Sequence, residues 1–376
     1  MENKGCGIIC EYNPFHLGHK YQLEKAKELC DFTVCAMSGD FVQRAEAAFQ
    51  KKEVRAKNAC DNGGDIVLEL PFPYSCLGAE GFAHKGVELL TKSGLCSHIM
   101  FGSECGDVNV LTDIAKVLSG DGFYGSVVNR QKAEKDLSFA RARQLEIESI
   151  LGRDYAMVLE NPNDILAVEY IKAIIKQKSS LLPVPLKRST PRGGFDESFA
   201  SSSYIRENLL LGNSEFAKSR LPENYDFTGI IENVENFYKT MLVSLAMKDP
   251  KELEKIAEVP KGYGYAIVSQ ARKSKDYDGL CKSLCSKTMT LSKAKRMLLF
   301  CFFGVTKEEC VRDMQYTRVL CLSDMGREVL KKYREDSEII IASRIKDIKS
   351  NDKALESFNR SMLAGDILEK CCGMTI

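Results

Sequence analysis

The sequence has no Cys-x-x-Cys pair, only four histidines, no long apolar run and almost no net charge. Each shortage removes a class of protein. Fifteen cysteines are present, but the count is odd; Cys6/Cys10 and Cys281/Cys285 lie in apolar or helical text, and Cys371-Cys372 lies in the tail. They read as small buried side chains in a reducing compartment, not as zinc ligands or a disulfide framework, and no protein-held metal is expected. No stretch approaches the roughly 18 apolar residues of a membrane span. The polar start, Met1 to Gly5, and the short Cys6–Cys10 run do not read as a signal peptide. A cytoplasmic protein without a membrane partner is expected. With 53 basic residues against 52 acidic, a net charge of +1, a polyanion would have to be met by a local basic face. What remains is an ordinary globular balance, 44% hydrophobic over 376 residues, enough for two domains or one large one.

The first hundred residues alternate. "CGIICEY", "FTVCAMSG", "DIVLELP" and "HIMFGSE" read as strands, and "HKYQLEKAKELC", "KKEVRAKNACDNGG" and "GAEGFAHKGVELLTKSG" as helices between them. That spacing implies βαβ crossovers and a parallel sheet. Ligands of such sheets bind beyond the carboxyl ends of the strands, where "EYNPFHLGH", "SGDFVQR", "ELPFPYS" and "FGSE" fall. Helical text follows from Leu111 to Gln177, then a further strand, "LLPVPLKR", a Gly/Pro-rich loop, "STPRGGFDE", and a helix opened by serines, "SFASSSYIRENLL". "RLPENYDF" reads as a linker. The fold class expected is α/β, a Rossmann-like parallel-sheet domain over residues 1–224, followed by a mainly α-helical domain over 225–376 with short strand-like text at "YTRVLCLS" and "SEIIIASR".

His16-Leu17-Gly18-His19 stands between a strand with its Asn13-Pro14 turn and a helix. Gly18 permits close approach of a ligand, and the helix start offers free N–H groups and positive dipole. Two imidazoles there can hydrogen-bond nucleotide phosphates and the charge that grows on leaving pyrophosphate. In "ASSSYIR", Ser201 and Ser202 could receive phosphate oxygens, with Arg206 one turn on as a charged fork, or could simply cap their helix.

An early H-x-G-H with a late S-S-x-x-I-R resembles the signature pair of the nucleotidylyltransferase superfamily. More narrowly, "EYNPFHLGH", "SGDFVQR", "DIVLELPFP", "FGSE", "NPNDILAVEY", "PLKR", "SSSYIR", "CSKTMTLSKAKRMLLF" and "YTRVLCLSDMGREVL" occur in the order seen in the bacterial tRNA(Met) cytidine acetate ligase family. The resemblance implies a two-step ligation in which ATP and acetate give acetyl-adenylate and pyrophosphate. The wobble cytidine of elongator tRNA(Met) then takes the acetyl group, giving N4-acetylcytidine. It implies ATP contacts along Gly7, Ile8, Ile9, Cys10, Glu11, Tyr12, Asn13, Pro14, Phe15, His16, Leu17, Gly18, His19 and Lys20, completed by Gly102, Asn163, Arg188, Ser201 and Ser202. His16, His19 and Arg206 would act on the leaving pyrophosphate, and Mg²⁺ would arrive with ATP. Asp40, Gln43 and Arg44 could border acetate or the cytidine, or be structural. Asn163 could instead cap the helix that follows it, and Gly102 could merely close a turn.

The chain departs from the family pattern at Ala45-Glu46-Ala47, where glycine and then proline are usual, at Ser203, where alanine is common, and in the loop after Arg188. Between Arg272 and Arg296 eight Lys or Arg face two Asp, a footprint suited to tRNA phosphates. Lys293 and Arg296 would share a helix face there, with Arg318 and Tyr316 adding charge and stacking. A second basic run, Arg44, Lys51, Lys52, Arg55 and Lys57, could steer an anticodon stem or be the polar side of a helix. A small-molecule adenylyl- or cytidylyltransferase, or an RNA-binding protein with a silent nucleotide site, would share parts of this text. Only the ligase needs both the phosphate motif and a basic helical region.

Overall fold

In the computed structural model, which describes residues 5–134, 137–188 and 200–373, the strand-helix alternation of the N-terminal text becomes a doubly covered sheet. Its strands are β1 (Gly5–Cys10), β2 (Phe32–Ser38), a small hairpin of β3 (Phe41–Val42) and β4 (Glu46–Ala47), β5 (Ile66–Leu70), β6 (Cys96–Ser103), β7 (Leu182–Lys187), β8 (Tyr316–Leu322) and β9 (Ile340–Ala342). The main sheet runs β7-β6-β1-β2-β5-β8-β9. Pairing is parallel from β7 to β5, and β8 joins antiparallel to β5. Every residue of β2 and β5 is buried, as expected of central strands covered on both faces.

Three helices, α1 (Leu17–Leu29), α2 (Lys52–Cys60) and α3 (Ala79–Lys92), make the first crossovers. On one face, Leu23 and Ala26 of α1 pack with Cys6, Ile8 and Cys10 of β1. On the other, α3 buries Phe82, Ala83, Val87, Leu89 and Leu90 in the larger core. Gly7 is what lets α3 lie so close, since a Cβ there would stand 2.6 Å from Leu90. The cysteines are free and mostly buried or half-buried, in keeping with their reading as small apolar side chains. Among the described residues no helix is long and apolar enough to cross a membrane.

Beyond residue 225 the chain is mainly helical, with Val234–Ala246, Tyr263–Lys273, Leu291–Phe303 and the long Asp352–Cys371 as its chief helices. The sheet nevertheless crosses the division expected there, because β8 and β9 come from this later part. The helices also share the core of the sheet: Phe41 lies 5.4 Å from Phe237, and Phe72 5.2 Å from Phe303, centroid to centroid. Burying those rings holds the helical part against the carboxyl ends of β2 and β5.

Candidate active site

A cleft of about 1070 Å³ opens beyond the carboxyl ends of β1, β6 and β7. Its walls bring together segments far apart in sequence: Ile9 to Asn13, His16, Gly18 and His19; Gln43 and Arg44; Gly102 and Glu104; Asn163; Arg188; and Ser201 to Tyr204 with Arg206. Of the expected run from Gly7 to Lys20, Gly7, Ile8 and Phe15 lie in the core instead, and Pro14 is buried. They shape the motif from behind.

The two histidines build the start of α1. His16 is its N-cap, and its Nδ1 accepts from the Gly18 N–H at 3.1 Å. His19 returns the contact, its Nδ1 accepting from the His16 N–H at 3.3 Å. This is a capping box made of two imidazoles, with their rings stacked 3.6 Å apart. With each Nδ1 acting as acceptor, the proton of the neutral ring sits on Nε2, which is left as a donor. Burial pushes the His16 imidazole down to about 3, and burial together with the neighbouring His16 and Arg188 pushes His19 well below its ordinary range. The pair is therefore neutral at pH 7 until an anion arrives.

A second helix start faces the same space. Ser201 caps the helix Ser202–Leu210, accepting from the Tyr204 N–H, so it serves as a cap and lines the cleft as well. Arg206, one turn on, donates to the Asn13 carbonyl and, at 3.3 Å, to the Ser203 hydroxyl. Serine at 203 thus gives Arg206 an acceptor that alanine would lack. Two helix N-termini converging on one cleft supply unpaired N–H groups and positive dipole for an anion.

On the β6 and β7 side, the Asn163 side chain donates to Glu104 Oε1 at 2.6 Å. The N-cap of its helix is Asn161, so Asn163 is no cap. Asp164, fully buried, accepts from the Cys105 N–H and the Asn161 side chain and fastens "FGSE" to "NPND". A Cβ on Gly102 would lie 3.6 Å from Arg188, an ordinary contact, so Gly102 sits directly beside that side chain. The loop after Arg188, expected to be atypical, lies outside the described residues.

Glu11 accepts from the Gln43 N–H at 2.9 Å, which ties the β3–β4 hairpin to the strand end. Burial pushes its carboxyl up, against the opposing pull of that N–H and of Arg206. Ala45, in the same hairpin, has φ +57°, a left-handed setting that glycine adopts without a Cβ penalty. Asp40 is not on the cleft wall; it binds Lys52 at 2.6 Å.

The basic runs look different once folded. Arg55 is wholly buried and donates to the carbonyls of Glu11, Ser38, Gly39 and Gln50. Lys52 is 5% exposed and pairs with Asp40 and Glu69, Lys51 pairs with Glu369, and Lys57 with Asp61. Arg318 pairs with Glu69 at 3.0 Å, and Arg296, 9% exposed, with Glu258 at 2.7 Å. Arg296 and Arg318 therefore do not form the outward basic face expected of them, because each is held against a carboxylate of the body. Tyr316 is buried beneath the last helix and cannot stack on a base. Lys293 is half-buried, while Arg272, Lys273, Lys275, Lys282 and Lys287 are exposed. Asp164 and Glu104 were the organising residues that sequence reading missed, and Arg55, read there as part of a basic run, is a third.

A family model described as HIGH Nucleotidyl Transferase matches residues 3–373. The tRNA(Met) cytidine acetate ligase of Thermoanaerobacter sp. (strain X514) is 32% identical over 380 residues, covering 96% of this chain and 94% of that protein. The Acetivibrio thermocellus protein of the same name is 31% identical over 396 residues, covering 98% and 95%. Among solved structures, Thermotoga maritima TmcAL bound with alpha-thio ATP superposes with a TM-score of 0.89 at 30% identity, covering 98% of this chain and 94% of that one.

Proposed function

Because the chain belongs to the tRNA(Met) cytidine acetate ligase family of HIGH nucleotidyl transferases, we propose that it ligates acetate to the wobble cytidine of elongator tRNA(Met) at the expense of ATP. The observation that carries the reading is the histidine capping box at the cleft. In the first step an acetate oxygen attacks the α-phosphorus of ATP, the bond to the β-phosphate oxygen breaks, and acetyl-adenylate and pyrophosphate form. His16 and His19 present Nε2–H donors, and two helix N-termini add backbone N–H groups, where charge develops on the leaving group. Arg206 adds a fixed cation. In the second step the cytidine N4 amine attacks the acetyl carbonyl, the bond to the AMP phosphate breaks, and the amine gives up one proton.

Magnesium enters on the triphosphate in this reading. The imidazole N–H groups, hydroxyls and guanidinium at that end of the cleft are donors to phosphate oxygens, not ligands for a hard cation. The tRNA would approach across Arg272, Lys273, Lys275, Lys282, Lys287 and Lys293. The helix Leu291–Phe303 reaches the cleft rim, where Lys295 pairs with Glu46 at 2.7 Å, so a backbone held along those cations would lie near the cleft.

The test is transfer of labelled acetate, with ATP, into an unmodified elongator tRNA(Met) transcript, followed by nucleoside digestion. Label on cytidine is expected. ATP cleavage to AMP and pyrophosphate without label would leave adenylation standing and refute the acceptor. In the His19→Ala variant, pyrophosphate release should disappear while tRNA affinity survives; wild-type release would refute the role of the motif.

A further inference from the structure

Glu104 is committed on only one side. Its Oε1 accepts from Asn163 at 2.6 Å and lies 4.0 Å from the Arg188 Nε. Its Oε2 is buried and finds no hydrogen-bond donor among the described residues. A carboxylate oxygen withdrawn from water without a donor is costly, and such atoms are rare enough in folded proteins to call for an explanation. Ser103, the residue before it, is buried and sits with Asp164 in the body of the protein, whereas Gly102 and Glu104 both line the cleft.

The position of Arg188 says which part of a nucleotide Glu104 would meet. Arg188 is close enough to His16 and His19 to depress both imidazoles, and its Nε lies 4.0 Å from Glu104 Oε1. Along the cleft the sequence of groups is histidine pair, Arg188, Glu104, Asn163. If phosphates lie against the histidines and the start of α1, the nucleoside extends over the ends of β6 and β7, where the free oxygen is. An anion at that end would repel phosphate but suits a neutral group carrying N–H or O–H.

We propose that Glu104 is a nucleoside-recognition residue, its free oxygen accepting a hydrogen bond from a ribose hydroxyl or from the exocyclic amine of adenine. The inference rests on ATP being the nucleotide of this cleft. Both candidate donors offer the same chemistry, and substrate analogues separate them.

Glu104→Gln is the decisive variant. Its amide oxygen can keep the bond to Asn163, while its NH₂ group replaces the free acceptor with a donor. Binding of ATP, 2′-deoxy-ATP, 3′-deoxy-ATP and purine riboside triphosphate would be measured by titration calorimetry on wild type and variant, with melting temperatures as a check on folding. Glu104→Asp, which keeps the charge but withdraws it, would stand in if the glutamine variant were unstable. In wild type, one analogue should bind roughly ten- to hundredfold more weakly than ATP, the range for a lost hydrogen bond to a charged group. In the variant, ATP should weaken by a similar factor and the gap to that analogue should close. A purely structural role would weaken all four ligands equally and leave their ratios unchanged, which would overturn the proposal. Wild-type protein that bound none of them would overturn the ATP reading itself, and this inference with it.

Discussion

Replacing Arg55 by alanine tests whether this residue is part of the architecture or of an RNA surface. Its guanidinium donates to four main-chain carbonyls, two of them, Ser38 and Gln50, at 3.2 and 2.9 Å. The other two belong to Glu11 and Gly39. These carbonyls lie just beyond β1, at the end of β2 and at the approach to α2, so one side chain fastens three chain segments behind the cleft. Alanine leaves the four acceptors unpaired in a space that water enters only in part. A buried polar group left without its partner costs about 1–3 kcal/mol, and the losses at one site are not additive, so a deficit of about 4 kcal/mol is reasonable. At about 2.1 cal/mol/K of unfolding entropy per residue, a chain of 376 residues should then melt about 5 °C lower. Differential scanning calorimetry reads this directly, and ATP affinity should fall with it because the Glu11 carbonyl loses its anchor. A variant melting within 1 °C of wild type but binding tRNA several-fold more weakly would refute the reasoning and return Arg55 to the RNA surface.

Acid sensitivity provides another check. The folded protein keeps His16 and His19 neutral, whereas the unfolded chain takes up protons below about pH 6.5. Stability is therefore complete above that pH and is lost as pH falls toward about 3, by up to about 1.4 kcal/mol per pH unit per imidazole. His16→Asn, which keeps a cap acceptor, should show a shallower fall in melting temperature between pH 6.5 and 5; parallel slopes would exclude the imidazoles as the cause. Lys52→Met strands Asp40 and Glu69 with Arg318 as their remaining cation and should cost about 3–5 kcal/mol, read as a lowered denaturant midpoint; an unchanged midpoint would mean the carboxylates do not need it. Arg296→Gln should change tRNA affinity less than twofold, while Lys273→Glu with Lys275→Glu should weaken it and flatten its salt dependence. The reverse ranking would place the RNA on the other side of the helices.

The alternation that marks β1, β2, β5 and β6 was legible because central parallel strands are continuous apolar runs separated by amphipathic helices. The histidine motif at the start of α1 was legible because it is local: His16, Gly18 and His19 sit within one turn. Charge was harder to read. Lys52 and Arg55 look like a solvated helix face in sequence, and nothing nearby announces that Glu69, Arg318 and the Glu11 carbonyl will close over them. The same blindness applies to Arg296, whose partner Glu258 is far along the chain, and to Glu104, whose significance lies in an oxygen left without a donor. A run of basic residues in text cannot distinguish cations that meet solvent from cations that meet a distant carboxylate.

The antiparallel seat of β8 beside β5 has a consequence for how the chain comes to be folded. Ile66 pairs with Leu322 and Leu68 with Val319, so the flank of β5 is completed by residues made some 250 positions later. During synthesis at roughly 5–20 residues per second, that flank waits for tens of seconds as an uncovered row of N–H and C=O groups on an apolar strand. Such a row is a template for any passing strand. The nascent protein is most vulnerable to chain-to-chain association in that interval, and a ribosome that stalls before residue 316 would release a sheet ready to pair with its neighbour.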